Sequence, residues 1–447
     1  MFIQYGGRPG SAQSKPVKVA ANQAIGDNTE LRQQRLPQRN KETGTMGHSR
    51  SFHENGATGG NKQKRIRYCT RCIMPETKPD LFIDEEGVCS ACRNMENRKT
   101  IDWDQRRGEL KQILEKYRSK DGTRYDCVIP VSGGKDSHYQ TIRMLEFGMN
   151  PLCVTATTCS LSDIGRRNIE NLKSLGVDYI EVTTNRKIRR KINRLGLEQL
   201  GDISWPEHVT IFTIPVRMAM RFRAPLIIWG ENPQHEYGGP AAAADDNVLT
   251  RRWLEEFGGM LGLRVNDLVG VNGIERKHLI QYVYPTDEEL REVGVTGLFL
   301  GYYIPWDGYN NVLISQAHGF ETYPGPVEGA LVNYENLDNM QTGIHDYFKF
   351  LKYGFGRATD HACMHIRRGR LSREDAIRLV KIHDGKFPWE YLGHRIEDIL
   401  AEMDMSVDEF IRICDKFTNK KLFLQDSRGN LVKDRHGNLT KVNYDNE

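Results

Sequence analysis

The sequence predicts an α/β protein built on a doubly wound parallel sheet. Apolar segments alternate with helical patterns over residues 125–229, and a Gly-rich loop joins the first apolar segment to the helix that follows it. Strands that alternate with helices are typical of parallel sheets, because each crossover between parallel strands is usually made by a helix. With 447 residues and 38% apolar content, the chain is long enough for two or three domains.

The individual elements of this sheet can be read from apolar runs and from glycines that end helices. Four strands are predicted, at 125–131, 152–157, 178–183 and 225–229. Helices are predicted between these strands at 136–147, at about 185–198 and at about 206–222, and a further helix before the third strand ends at residue 175.

Composition divides the rest of the chain into further regions. We expect a disordered basic tail, a four-Cys module, an α/β domain, an insertion or substrate-facing lobe, and a mainly helical C-terminal region, over residues 1–67, 68–100, 101–240, 241–340 and 341–447. Near the end, Asp426–Leu431 and Asp434–Leu439 repeat a Gly-Asn turn signal, which predicts short β-hairpins.

Charge is distributed unevenly along the chain. Residues 1–67 hold 12 Lys/Arg and 4 Asp/Glu, a net charge of +8, so the remainder of the +4 chain carries −4. A body with this balance is not expected to bind nucleic acid, although a functional basic arm remains an alternative for the tail. The sequence has no apolar run of about 18 residues and no N-terminal signal pattern. We therefore expect a soluble, cytoplasmic protein without a membrane partner.

Four of the nine cysteines form two C-x-x-C pairs separated by 16 residues. The pairs are Cys69/Cys72 and Cys89/Cys92, and their spacing falls within the range of four-Cys zinc sites. Each pair can direct two thiolates at one ion, and four protein ligands make such a site structural. A redox-active pair is the alternative. We predict a zinc site here.

The loop after the first strand carries the strongest motif. Two glycines allow the backbone to approach an anion, and the N-terminus of the following helix attracts one. The hydroxyls of Ser132 and Ser137 can donate to phosphate oxygens, and the carboxylate of Asp136 can hold Mg²⁺. The predicted nucleotide-binding residues are Ser132, Gly133, Gly134, Lys135, Asp136 and Ser137.

This S-G-G-K-D-S segment resembles the PP-loop of the ATP pyrophosphatases. The resemblance implies that ATP is cleaved between its α- and β-phosphates to form an adenylate, with Asp136 as a catalytic residue that holds Mg²⁺. It also implies nucleotide-binding positions after the second and fourth strands, namely Thr155, Ala156, Gly230, Glu231 and Asn232. Ordinary turn and cap chemistry remains an alternative for Glu231 and Asn232.

A wider resemblance covers about residues 68–410. The zinc module, the loop, Gly230–Gln234 and the block Lys352–Asp360 together look like the N-acetyl sugar amidotransferases, a family of WbpG- and PseA-like enzymes of surface-polysaccharide synthesis. The family converts the N-acetyl group of a sugar into an acetamidino group. Lys352 and Arg357 are predicted catalytic-site cations that hold the diphosphate of a sugar nucleotide, with surface charge as the alternative.

The same resemblance implies partners. The sequence shows no recognisable glutaminase signature, so a separate glutaminase subunit is expected to supply ammonia, with a cyclase-like barrel subunit as a candidate conduit. The cofactors implied are ATP, Mg²⁺ and Zn²⁺. Two other functions are alternatives. A tRNA thiolation enzyme should have a more basic body, and the intact Ser132, Asp136 and Ser137 argue against an inactive nucleotide-binding regulator.

Overall fold

A five-stranded sheet forms the centre of the protein. The computed structural model describes residues 66–231 and 261–442. All strand pairs in the sheet are parallel, and the strand order is β3-β2-β1-β4-β5. The strands are β1 Cys127–Pro130, β2 Pro151–Thr157, β3 Asp178–Thr183, β4 Leu226–Trp229 and β5 Thr296–Phe299. The predicted α/β class with a parallel sheet is confirmed. The chain adds β2 and β3 on one side of β1 and then adds β4 and β5 on the other side.

Fourteen α-helices lie within the described residues. Six belong to the first half: α1 Ser90–Asn97, α2 Trp103–Tyr117, α3 Lys135–Glu146, α4 Asp163–Lys173, α5 Arg186–Leu200 and α6 Trp205–Arg221. Eight follow: α7 Asp287–Val293, α8 Leu300–Tyr303, α9 Gly308–Ala317, α10 Thr342–Tyr353, α11 Arg357–Arg367, α12 Arg373–His383, α13 Ile396–Ala401 and α14 Val407–Phe417. Short 3-10 helices occur at Arg98–Thr100, Val265–Leu268, Val271–Gly273 and Arg276–Tyr282.

Helices cover both faces of the sheet. Successive residues of a strand point to opposite faces, and in β1 Val128 packs in the apolar cluster that contains α6, whereas Ile129 packs with α2 and α3. Both faces of the central strands are therefore buried, which explains why β1 and β4 read as continuous apolar runs in the sequence.

The fifth strand was not predicted. β5 pairs with β4 in register from Leu226 opposite Thr296 to Trp229 opposite Phe299. It comes from residues 241–340, the segment expected to be an insertion or substrate-facing lobe. With only four residues and a glycine among them, β5 gives too weak an apolar signal to be distinguished locally from a turn.

The C-terminal region is largely helical. Its core is formed by α10, α13 and α14, with side chains such as Phe348, Leu351 and Phe410 in one apolar cluster. A two-stranded hairpin, β6 Glu390–Tyr391 with β7 His394–Arg395, interrupts the helices. Near the end, antiparallel bridges join Gln425 to Leu431 and Lys433 to Leu439, at the two repeated turn signals.

Two expectations concern residues that the structure does not describe. Nearly all of the tail predicted at 1–67 and the nucleotide-binding candidate Asn232 lie outside the described residues. Within the described ranges, no helix combines the length and the apolar character that a membrane crossing requires.

Candidate functional site

The loop between β1 and α3 is held in a closed turn. Gly133 has φ +88°, and a Cβ on it would lie 2.8 Å from Cγ1 of Ile169, so only glycine fits this position. The Ser132 N–H donates to Oγ of Ser137 (3.0 Å), and the Gly134 N–H donates to Oγ of Ser132 (3.3 Å). Gly134 precedes the first residue of α3. The loop thus presents the N-terminus of a 12-residue helix, a suitable site for an anion.

The charged residues of the loop belong to a buried network. Nζ of Lys135 lies 2.7 Å from Oδ2 of Asp136 and 3.1 Å from Oε1 of Glu335. Oε2 of Glu335 in turn lies 3.1 Å from Nε2 of His361. Burial alone would raise the pKa of Glu335, but Lys135 and His361 hold that pKa well below its usual range. Glu335 is therefore a carboxylate that fixes the lysine of the loop.

Asp136 is suited to hold a metal ion. Its side chain is 33% exposed, and its Oδ1 accepts a hydrogen bond from Nδ2 of Asn311 (2.8 Å). The other amide atom, Oδ1 of Asn311, is buried without a hydrogen-bond partner in the described part of the protein. Carboxylate and amide oxygens are ligands that Mg²⁺ accepts. The residues present at this position therefore fit the predicted magnesium ion.

A cavity of about 260 Å³ opens at the carboxyl ends of β1 and β2. One wall carries Ser132, Thr155 and Ala156, and the opposite wall carries C-terminal residues, among them Asp338 and Arg357. Its volume is slightly below the roughly 300–1,000 Å³ of typical small-molecule sites. The cavity is therefore large enough for part of a nucleotide, at the edge of the sheet where open α/β folds bind ligands.

The predicted residues of the second and fourth strands occupy different positions. The hydroxyl of Thr155 donates to the Val131 carbonyl (2.6 Å), so its hydrogen bond joins β2 to β1. Gly230 follows β4, next to β1, and its carbonyl accepts from the Gly301 N–H (3.0 Å). A Cβ on Gly230 would lie 3.1 Å from Nε2 of Gln140, so this position is tightly packed. Neither Gly230 nor Glu231 lines the cavity.

The two predicted C-terminal cations are separated by the structure. Nζ of Lys352 donates to the Leu200 carbonyl at the end of α5 (2.7 Å), and burial lowers the pKa of its amine. Lys352 does not line the cavity, whereas Arg357 does. The Arg357 guanidinium binds both oxygens of Asp346, at 3.0 and 2.7 Å. Only Arg357 therefore faces the cavity beside the loop.

Sequence reasoning missed a second segment of the site. No role follows from the sequence pattern of this segment, Tyr334–Asp338. Asp338 lines the cavity, and burial raises the pKa of its carboxyl even though Ser132 donates to it. Its backbone is close to α4, since a Cβ on Gly165 would lie 2.7 Å from Cα of Asp338. A helix-pattern search could not have found this residue, because its segment is irregular.

The four predicted zinc ligands come together at one point. All four cysteines of the two pairs are buried and free of disulfides. Sγ of Cys69 lies 3.8 Å from Sγ of Cys92, and Sγ of Cys72 lies 3.6 Å from Sγ of Cys89. Zn–S bonds of about 2.3 Å place the thiolates of a tetrahedron about 3.8 Å apart. The cluster therefore has the size of a four-cysteine zinc site.

Comparison with known proteins bears on the second wall of the cavity. Residues 319–435 match a family model that describes the C-terminal domain of WbpG-like LPS biosynthesis proteins. The C-terminal region of this chain is therefore similar to the WbpG-like proteins. The matched WbpG-like domain contains Glu335, Asp338, Asp346 and Arg357. A search of curated proteins found no match to the chain.

Proposed function

We propose that this protein is an ATP-dependent amidotransferase of the PP-loop type. It adenylates the N-acetyl oxygen of a nucleotide-linked sugar and replaces that oxygen with ammonia to form an acetamidino sugar for surface-polysaccharide synthesis. One observation carries the proposal. A single cavity is lined both by Ser132 of the S-G-G-K-D-S loop and by Asp338 and Arg357 of the WbpG-like domain.

The chemistry requires that the amide oxygen first becomes a leaving group. An amide carbonyl is a poor electrophile because its nitrogen donates electrons into it. Attack of the acetamido oxygen on the α-phosphorus of ATP forms an O-adenylyl imidate and releases pyrophosphate. Ammonia then adds to the imidate carbon, and AMP leaves with the original oxygen. The product is an amidine. The amide nitrogen loses its proton as the imidate forms, and the adding ammonia loses one proton, each to a base or to solvent.

The protein's residues would support these steps by position and charge. The backbone N–H groups at the start of α3 and the hydroxyls of Ser132 and Ser137 would bind the departing pyrophosphate. Asp136 and Asn311 would hold Mg²⁺, which neutralises phosphate charge when bound. Arg357, oriented by Asp346, lines the cavity and is the proposed cation for a sugar diphosphate. Lys352 is directed elsewhere and is not part of this assignment.

Ammonia delivery calls for a partner. Ammonium has no lone pair, and water would hydrolyse an activated imidate, so neutral ammonia should arrive shielded from solvent. We therefore propose that a separate glutaminase subunit supplies the ammonia, with a cyclase-like barrel subunit as a candidate conduit. We further propose that the reaction takes place in the cytoplasm and that it involves no nucleic acid.

The test is a reaction with ATP, Mg²⁺, ammonium at alkaline pH and a nucleotide-linked N-acetyl sugar. We expect AMP and pyrophosphate, together with a product in which NH has replaced one oxygen, as measured by mass spectrometry. Asp136→Asn should reduce turnover at least 100-fold with the fold intact, because Mg²⁺ loses a ligand. Asp104→Asn is the matched control, since Asp104 is likewise in the first turn of a helix.

Three results would contradict the proposal. Formation of ADP and phosphate would exclude cleavage between the α- and β-phosphates. A product with sulfur in place of oxygen would indicate a thiolation enzyme. Glutamine-dependent activity of the isolated chain would show that no separate glutaminase is needed.

A further inference from the structure

Three potential metal ligands meet beside the cavity. Asp202 lies in the connection between α5 and α6, His208 in the first turn of α6, and His345 in the first turn of α10. A ligand atom of each lies within 4.8 Å of a ligand atom of the other two. They come from two regions of the chain more than a hundred residues apart. No pattern in the sequence links them.

The distances within this Asp-His-His cluster are those of a small coordination site. Nδ1 of His345 lies 2.9 Å from Oδ1 of Asp202, and Nδ1 of His208 lies 3.3 Å from Oδ2 of the same carboxylate. The two imidazole rings meet edge to face, with centroids 5.3 Å apart. Bonds of about 2.0–2.1 Å to one tetrahedral ion place nitrogen and oxygen ligands about 3.3 Å apart. The two contacts involve different oxygens of Asp202, and one ligand atom of each residue lies within 4.8 Å of the others, so side-chain shifts of the order of 1 Å would bring three ligands to one ion.

Hydrogen bonding alone does not satisfy the Asp-His-His cluster. His345 is within hydrogen-bond distance of Asp202, but Nδ1 of His208 is buried and has no hydrogen-bond partner within the described residues. Its approach to Asp202 is an ionic contact without hydrogen-bond geometry. A buried nitrogen left in this state is unfavourable. An ion shared by the three groups would give it a partner.

The carboxylate of the cluster is fixed in place. Gly201 ends α5 in a left-handed conformation (φ +61°), and the Asp202 N–H donates to the Gly196 carbonyl (3.1 Å). The Ser204 N–H donates to Oδ1 of Asp202 (2.9 Å), and the Asp202 side chain is only 5% exposed. The nearby Glu207 is committed to Arg189 (2.9 Å) and is not available as a further ligand. The site is therefore built before any ion binds.

The cluster opens into the cavity. His208 and His345 both line it, together with Ser132, Thr155 and Arg357. Two imidazoles and one carboxylate suit divalent ions such as Zn²⁺, Fe²⁺ or Co²⁺. Three protein ligands leave a position open, in contrast to the closed four-cysteine site. The open position would face the cavity and could take water or a substrate oxygen.

We propose that Asp202, His208 and His345 form a second metal site, which binds a divalent transition-metal ion of the Zn²⁺ class at the wall of the cavity. This inference goes beyond the proposed amidotransferase activity. Its test measures metal content, so its failure can be told apart from failure of the proposed reaction.

The experiment uses the full chain purified without a polyhistidine tag. The protein is saturated with Zn²⁺, freed of excess ion by gel filtration and analysed by mass spectrometry of metals. We expect two equivalents for the wild-type chain and one for His208→Asn or His345→Asn. His394→Asn should retain two, because His394 in β7 lies outside both clusters. With Co²⁺, the two site variants should lose d–d absorption of a nitrogen and oxygen site but keep the thiolate charge-transfer band.

The wild-type chain alone can overturn the inference. A single Zn²⁺ equivalent, with a Co²⁺ spectrum of thiolate ligation only, would show that the cluster binds no ion. Two equivalents that persist in a His345→Asn protein with wild-type circular dichroism would place the second ion elsewhere. Should one histidine variant fail to fold, the other variant and the wild-type stoichiometry still decide the question.

Discussion

At the scale of the residue, His138 shows how buried hydrogen bonds support the loop Ser132–Ser137. It is fully buried in α3, with Nδ1 3.0 Å from the Gly134 carbonyl and Nε2 3.2 Å from Nδ2 of Asn171. A carbonyl can only accept and an amide NH₂ can only donate. His138 must therefore carry its proton on Nδ1 and be neutral. Burial lowers its pKa from 6.5 to about 4.

This pKa predicts a pH dependence of stability. A histidine whose pKa is depressed in the folded state binds protons more weakly there than in the unfolded chain. The stability that the neutral His138 ring contributes to the fold is complete above pH 6.5 and is lost as the pH falls to about 4. The loss should reach about 3 kcal/mol in the free energy of unfolding. Urea denaturation across this range should show a smaller decline for His138→Gln than for the wild type. An equally steep decline in both proteins would contradict the prediction, and His394→Gln is the control.

At the scale of the element, the N-terminus of α11 is capped by a residue far along the chain. The carboxylate of Asp384 accepts hydrogen bonds from the Gly356 N–H (2.8 Å), from the Ala358 N–H (3.0 Å) and from the hydroxyl of Thr359. These groups would otherwise lack an intrahelical partner. Because Arg357 is the first residue of α11, the cap also places its guanidinium at the cavity.

Removal of this cap should destabilise the helix and displace Arg357. Asp384→Ala leaves buried donors without an acceptor, so we expect a loss of about 1–3 kcal/mol in the free energy of unfolding. Asp384→Asn, which keeps one oxygen, should lose less. The exposed first-turn residue Asp287 of α7 serves as the control, and Asp287→Ala should change stability by no more than about 0.5 kcal/mol. Equal effects of Asp384→Ala and Asp287→Ala in denaturant titrations would show that the cap is dispensable.

At the scale of the whole molecule, the four-cysteine cluster belongs to the same core as the C-terminal helices. It shares an apolar cluster with Phe355, Ala362 and Ala376. Hydrogen bonds also join the two regions, from the Thr77 hydroxyl to the Tyr353 carbonyl (2.5 Å) and from Nε of Arg373 to the Cys72 carbonyl (3.2 Å). The module is therefore not an independent appendage.

Loss of zinc should consequently unfold more than the module. Cys72→Ser removes a ligand, and metal binding in such sites is coupled to folding. We expect less bound zinc and a lower melting temperature, with α11 and α12 losing protection from hydrogen exchange together with residues 68–97. Cys159→Ser, at a buried cysteine outside the cluster, should retain the zinc. Protection of α11 and α12 that is unchanged in Cys72→Ser would mean that the module unfolds alone.

The sequence was informative where a signal is contained within one element. The four strands from β1 to β4 appeared as apolar runs, and the loop at Ser132–Ser137 appeared between a strand and a helix, because such patterns depend on neighbours only a few residues away. The spacing of Cys69, Cys72, Cys89 and Cys92 was informative for the same reason. Two short turns determine which thiolates can reach one ion.

Tertiary structure decided which distant residues meet. β5 joins the sheet by pairing with β4 about seventy residues earlier, and Asp338 reaches the loop across more than two hundred residues. Lys352 and Arg357 looked alike in sequence, but the break between α10 and α11 turns Lys352 toward the end of α5 and Arg357 toward the cavity. Local chemistry therefore determined the loop Ser132–Ser137 and the thiolate cluster of this protein. Packing of the C-terminal region against the sheet determined the opposite wall of the site, because no short-range pattern records contacts between segments so far apart.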